Sequence, residues 1–194
     1  MTEQRGGLPI LTLRNGESFE EWLAQQPADA CGAWLKFPKR SASEPGLTKS
    51  EAIDAALCHG WIDGQLDKYD DKFWLVRFTP RKARSKWSQV NKRRATELLA
   101  EGRLRESGLA QIEAAKADGR WAAAYAPASS AEVPADLQDA LNRNPQAAKV
   151  FATLKGVNRY AILYRIGAVK RPETRARKIA EYVAMLERGE TIHG

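Results

Sequence analysis

The sequence predicts an α+β protein, a small and mainly antiparallel sheet with flanking helices followed by a compact helical C-terminal module. Three observations carry this. Strand-like and helix-like segments alternate irregularly up to about residue 87, two β-rich runs flank Asp70-Asp71 as in a hairpin, and from Ser88 onward the pattern is helical throughout.

Leu8 to Leu13 reads as a short strand. Ser18-Phe-Glu-Glu21 has the spacing of a capping box and opens an amphipathic helix to about Gln26. Ala33 to Phe37 reads as a buried strand, Pro38 to Leu47 as a polar loop, and Thr48-Lys-Ser-Glu51 as a second capping box whose helix stops at Gly60. Trp61 to Tyr69 and Lys72 to Thr79 form the hairpin, and Pro80, which cannot donate to a ladder, ends its second strand.

Helices follow over Ser88 to Glu101, closed by Gly102, and Ser107 to Asp118, closed by Gly119, each with a serine N-cap. Further helices lie near Pro134 to Asn142, Pro145 to Leu154, Asn158 to Val169 and Pro172 to Arg188, the last with proline at its first position and Gly189 beyond its end. Ala122 to Pro134 has a linker's composition. The expected organisation is therefore an α+β domain over 1–121, a linker over 122–133 and a helical module over 134–194.

The 194 residues are 43% apolar, enough to bury real cores. No stretch approaches the roughly 18 apolar residues of a membrane span, and MTEQRGGLPILTLR lacks the apolar run of a secretory signal. The expectation is a soluble, cytoplasmic protein with no membrane insertion. Cys31 and Cys58 lie in apolar sequence with no spacing pattern, which suits buried reduced thiols.

Charge is distributed unevenly. Between Lys72 and Thr96 there are nine Lys or Arg and no acid, interleaved with Phe73, Trp74, Phe78 and Trp87, while outside that window 22 basic residues face 24 acidic ones. The formal excess of +7 thus resides in one segment, which focuses attraction on an anionic partner. Arg81, Lys82, Arg84, Lys86 and Trp87 lie in a loop leading to the Ser88 helix, whose free N–H groups add to that attraction.

The hairpin adds candidates of a different kind. A two-residue turn at Asp70-Asp71 places Trp61, Asp63, Gln65 and Asp67 on one face with Trp74, Val76 and Phe78, and Ile62, Leu66, Phe73 and Leu75 on the other, which reads as the core. Trp61, Asp63, Gln65 and Trp74 then offer the aromatic area and few polar groups of a ligand pocket; the alternative is that the tryptophans pack under a helix. Arg77 falls opposite Gly64, where the missing side chain leaves room for a guanidinium or for a ligand.

Helical projection at about 100° per residue places Arg94 between Val90 and Leu98 on an inward side also formed by Asn91, Ala95 and Leu99. It places Arg175 within the stripe Pro172, Ala176, Ile179, Tyr182, Val183 and Leu186. A cation on an apolar face needs a partner. That partner is either an internal acid, Glu97 for Arg94 being one turn away, or a bound anion gripped by the guanidinium.

Gly60-Trp-Ile-Asp-Gly64, Arg77-Phe-Thr-Pro-Arg-Lys82, Ser85-Lys-Trp-Ser88, Asn91-Lys92, Glu101-Gly-Arg103 and Ala115-Lys-Ala-Asp-Gly-Arg-Trp121, with the C-terminal run Ala168 to Arg177, resemble the bacterial YdeI/OmpD-associated protein family. The resemblance covers nearly the whole chain. It implies a link, by name, to bacteriocin protection and to association with an outer-membrane porin, and it carries over no reaction, cofactor or catalytic residue.

Enzyme signatures are sparse. There is no P-loop, no dinucleotide-binding glycine turn and no nucleophile elbow. Cys58 and His59 are adjacent on a helix, about 100° apart, which prevents the bond that activates a thiol, and His59 reads as a helix C-terminal cation. Cys31, Cys58, His59 and His193 match no zinc spacing, so no cofactor is expected.

Three readings follow. The first is a non-enzymatic stress or protection protein that binds an anionic small molecule or an acidic protein surface through the basic loop. The second is a small-molecule enzyme using the Trp61/Asp63/Trp74 face, and the third a nucleic-acid-associated protein.

Overall fold

Local rules in the N-terminal half build a helix-covered sheet. The computed structural model describes residues 3–40, 42 and 46–193. The chain divides into two compact units, Met1–Ala124 and Tyr125–Gly194. Part of the polar loop expected over Pro38 to Leu47 lies outside the described residues.

In the first unit the elements are β1 (Gln4–Arg5), β2 (Leu8–Leu11), α1 (Gly16–Ala24), β3 (Ala33–Pro38), α2 (Lys49–Cys58), β4 (Trp61–Lys68), β5 (Phe73–Pro80), α3 (Gln89–Ala100) and α4 (Glu106–Ala117). Helix α2 carries the expected capping box: Thr48 accepts from the Glu51 N–H and the Glu51 carboxylate accepts from the Thr48 N–H. Such a cap stabilises a helix by about 1 kcal/mol. Gly60 then stops the chain at φ +74°, where an added Cβ would lie 2.8 Å from the Ser107 carbonyl, so only glycine lets β4 leave beneath α4.

Two caps differ from the sequence expectation. Helix α1 begins earlier, because its N-cap is Asn15 rather than Ser18: the Asn15 Oδ1 accepts from the Ser18 N–H at 3.0 Å. Helix α4 starts after Arg105, with no side-chain cap; the Arg105 N–H is satisfied instead by the Cys58 carbonyl of α2, at 3.0 Å.

The strands form one open mixed sheet in the order β1-β2-β3-β5-β4, parallel only between β2 and β3. Strand β1 was not foreseen. Its Arg5 reaches the far edge, where the guanidinium donates to the Lys68 carbonyl at 2.7 Å and pairs with Asp67 at 3.1 Å, so the sheet is curled.

The two sheet faces are the reverse of the expected ones. Leu35, Phe37, Trp61, Val76 and Phe78 pack beneath α1 and α2 with Phe19, Leu23 and Ala52, so the aromatic face is the main core. The other face carries only the small cluster of Leu8, Ile10, Trp34 and Leu75, and Leu66 is 59% exposed. Alternation sorts residues into two sets; the helices decide which set is covered.

Register differs as well. Asp63 pairs with Phe78 as expected, but Leu66 pairs with Val76, so Gly64 and Gln65 together oppose the single residue Arg77 in a bulge. In α3, Ala95 and Leu98 are buried as expected, whereas Val90 and Leu99 are exposed.

The second unit is a helical cluster of α5 (Ala135–Asn142), α6 (Pro145–Thr153), α7 (Gly156–Gly167) and α8 (Pro172–Glu187). Its core is Leu137, Leu141, Phe151, Ile162, Ile166, Ile179, Tyr182 and Leu186, with Ala131 and Val133 packed against it. No helix among the described residues is long and apolar enough to cross a membrane.

Candidate functional site: a basic cleft at the strand bulge

Strand alternation puts Arg77 on the face away from the main core, because Val76 and Phe78 on either side of it point under the helices. Its direct neighbour across the sheet is Trp34 of β3, and on the β4 side the bulge leaves Gly64 and Gln65 beside it. An open cleft of about 620 Å³ lies there, lined by Gly64 and Gln65 of β4, Arg77, Thr79 and Pro80 of β5, Arg81 and Lys82 of the loop that follows, and Ala28 to Cys31 between α1 and β3. A volume of this size suits a small ligand.

Gly32, just past the lining segment, sets how closely that segment lies on β5. At φ +117° its missing Cβ would lie 2.5 Å from the Phe78 carbonyl and 2.8 Å from Thr79 Cγ2, so any side chain would lift the Ala28 to Cys31 segment off the end of β5.

The cations of the cleft are held differently. Arg81 is only 6% exposed; its guanidinium stacks 3.7 Å over the Trp87 ring and donates to the Lys86 carbonyl, while its N–H donates to the Gly60 carbonyl at 2.9 Å. Stacking and these bonds fix it in one place. The Lys82 N–H donates to Ser85 Oγ, and Arg120 in turn donates to the Ser85 carbonyl, so the loop is pinned at Ser85. Arg77 is half-buried, its Nε is sealed from solvent with no acceptor, and no carboxylate pairs with it among the described residues. A guanidinium already stripped of part of its hydration, with no internal counter-charge, pays little further desolvation when an anion arrives.

Of the residues nominated from sequence, Arg77, Arg81, Lys82 and Gln65 meet in this cleft. Arg84 and Lys86 are exposed and do not line it, and Trp87 is 2% exposed, packed edge-on against Trp121. The rings interleaved with the basic residues are therefore largely internal: Phe78 is fully buried, Trp74 leans on Phe37, and Phe73 lies under the Lys36 ammonium.

Trp61, Asp63, Gln65 and Trp74 do not form one pocket. Trp61 is 5% exposed and meets Trp22 of α1 edge-on, Asp63 pairs with Lys49 at 3.3 Å, and the bulge directs Gln65 into the basic cleft instead.

Arg94 and Arg175 are occupied internally. Arg94 grips Asp54 of α2 through two 2.8 Å bonds and also reaches Glu97 at 2.9 Å and Glu101 at 3.1 Å. Bonding to Asp54 and then Glu97 raises its pKa further. Arg175, in the second unit, holds both oxygens of Asp136, at 2.6 and 2.9 Å, and donates to the Ile166 carbonyl at 2.8 Å. Internal acids thus replace the bound anion for both.

Burial pushes the Cys58 thiol up to about 11, leaving it protonated and unreactive. Burial, with the nearby Arg105, lowers the His59 pKa against the opposing pull of Glu20, so His59 at the end of α2 is neutral rather than the expected cation. Cys31, expected to be buried, is exposed at the cleft. Among the described residues no group of three His, Cys, Asp or Glu is placed to hold a metal ion.

The sequence reading missed Asp29, Cys31 and Thr79 at the cleft, and Asp54 at Arg94. Only the glycine before the Ala33 strand hinted at a close approach.

The molecule is an α+β protein with a helical C-terminal unit and a mixed-charge cleft at a sheet bulge. Two family models match it: residues 11–111 match a domain of unknown function, DUF8412, and residues 130–189 match the family described as "Bacteriocin-protection, YdeI or OmpD-Associated". The chain belongs to the DUF8412 family, whose model covers more than half of it, and residues 130–189 match the YdeI/OmpD-associated family model, which supports the resemblance over that part of the chain rather than over nearly all of it. The motifs between Gly60 and Arg103 fall in the first match, and Ala115 to Trp121 falls between the two. No curated protein and no solved structure gave a significant match.

Proposed function

We propose that this protein is a non-enzymatic, ligand-binding member of the bacteriocin-protection family, whose N-terminal unit holds a small anionic molecule in the cleft at the β4 bulge. The carrying observation is Arg77, a half-buried guanidinium that pairs with no acid among the described residues, beside Arg81 and Lys82. A small ligand is favoured over nucleic acid because the site is concave, and because Phe78 and Trp87 are buried, Trp74 leans on Phe37 and Phe73 lies against Lys36, so these rings do not form a free stacking surface. Two free thiols, one of them exposed, accord with a reducing compartment such as the cytoplasm.

Thermal unfolding of the full chain with phosphorylated metabolites, carboxylates, nucleotides, oligonucleotides and polyanions tests this, since a ligand preferring the native state raises apparent stability. Small oxyanion-bearing molecules should raise the midpoint of the natural protein and leave Arg77→Met unmoved. Equal shifts in both proteins, or shifts confined to oligonucleotides and polyanions, would refute the assignment.

A further inference from the structure

The cleft is not of one sign. Arg77, Arg81 and Lys82 come from β5 and its following loop, whereas Asp29 enters from the segment between α1 and β3. Asp29 is exposed and has no ion pair or hydrogen bond among the described residues, although three cations line the same space. Asp54 with Arg94 and Asp118 with Arg120, by contrast, close onto each other. Opposite charges that share a cleft and do not meet are set up for a ligand that separates charge in the same way.

Resting on the reading of the cleft as an anion site, we propose that its ligand is a zwitterion of the amino acid or short-peptide class, with the carboxylate held by Arg77 and Lys82 and the ammonium by Asp29. A guanidinium matches the two oxygens of a carboxylate. The Gln65 amide and the Thr79 hydroxyl supply the neutral donors and acceptors that a peptide unit needs, and Ala28, Ala30 and Pro80 give a side chain an apolar surface. Asp29 also works by exclusion: it repels a pure anion such as phosphate and attracts a ligand that carries its own cation. At about 620 Å³ the cleft has room for more than a single amino acid.

Isothermal titration of the full chain tests this, using pooled free L-dipeptides, the same pool N-acetylated, and inorganic phosphate. In the natural protein N-acetylation should weaken binding by about tenfold or more, the equivalent of one lost charge contact. Asp29→Asn, a change at an exposed position, should bring free and acetylated pools within about threefold of each other and tighten phosphate, while Arg77→Met should lose the dipeptides altogether. Alkylation of Cys31, exposed at the same cleft, gives a second readout and should slow when the free dipeptides bind.

Equal affinity for free and acetylated pools, or an unchanged ratio in Asp29→Asn, overturns the proposal. Phosphate binding that depends on Arg77, with no dipeptide binding, overturns the zwitterion while the anion site stands. No binding of either at the cleft removes both.

Discussion

Arg94 and Arg77 are both half-buried arginines of the N-terminal unit, one on α3 and the other on β5, and their surroundings treat them in opposite ways. Around Arg94 the helical repeat delivers Glu97 and Glu101 on the same side, and the packing of α2 on α3 adds Asp54, so three carboxylates converge on one guanidinium. Around Arg77 the sheet offers Trp34 on one side and a bulged Gly64-Gln65 on the other, and among the described residues no acid pairs with it. The same residue type is a structural rivet where neighbouring elements carry acids at the right repeat. Where the neighbours are aromatic and glycine, as at Arg77, it stands without an acid partner among the described residues.

Breaking the rivets should have the largest effect. Arg94→Met leaves Asp54, Glu97 and Glu101 facing one another, and urea unfolding should show a loss of about 2 to 3 kcal/mol, less than for a fully buried pair because Arg94 keeps 30% of its side chain exposed. A loss below about 0.5 kcal/mol would place Arg94 with ordinary surface charges.

Arg175→Met should come next, with a loss of about 1 kcal/mol in the C-terminal unit, since Asp136 is nearly half exposed and water takes over part of its solvation. A Lys replacement, which cannot grip both oxygens, should recover only part of that loss.

A smaller effect is expected from pH. The folded-state pKa of His59 lies below its ordinary value of 6.5, so the unfolded chain takes up a proton first and stability should fall as pH drops from about 6.5 toward the folded value. Unfolding at pH 7 and pH 5.5 should differ by under about 1 kcal/mol, and His59→Gln should flatten that difference. An unchanged slope would mean that His59 is not the group titrating.

The smallest change in stability should come from Arg77→Met, within about 0.5 kcal/mol of the natural protein or slightly favourable, because removing a sealed Nε with no acceptor relieves a desolvation cost. Binding at the cleft should be lost all the same. A large destabilisation would move Arg77 into the class of Arg94 and erase the contrast.

Much of the frame was legible locally. Thr48 with Glu51, Ser88, Pro172 and Gly189 all act at the positions their chemistry assigns, because caps and stops depend on neighbours a few residues away. Arg77, Arg81 and Lys82 were legible as binding candidates, since strand spacing and loop charge are also local, whereas Gln65 was assigned to a different pocket and reaches the cleft through the bulge. The covered sheet face was not, because alternation cannot say where α1 and α2 will pack, and the bulge at Gly64-Gln65 shifts register by one. Asp29 and Asp54 were not legible either. One reaches the cleft only through the close approach at Gly32, and the other meets Arg94 across forty residues of chain.

The claim that Arg77 alone of these three arginines is kept for an external anion can be tested directly by NMR of the arginine Nε–Hε groups in the intact chain during titration with pooled free L-dipeptides, whose carboxylate is the anion. The account predicts that the Arg77 signal, sealed from water, shifts and saturates while those of Arg94 and Arg175 stay in place. A stationary Arg77 signal, or equal movement of all three, would contradict it.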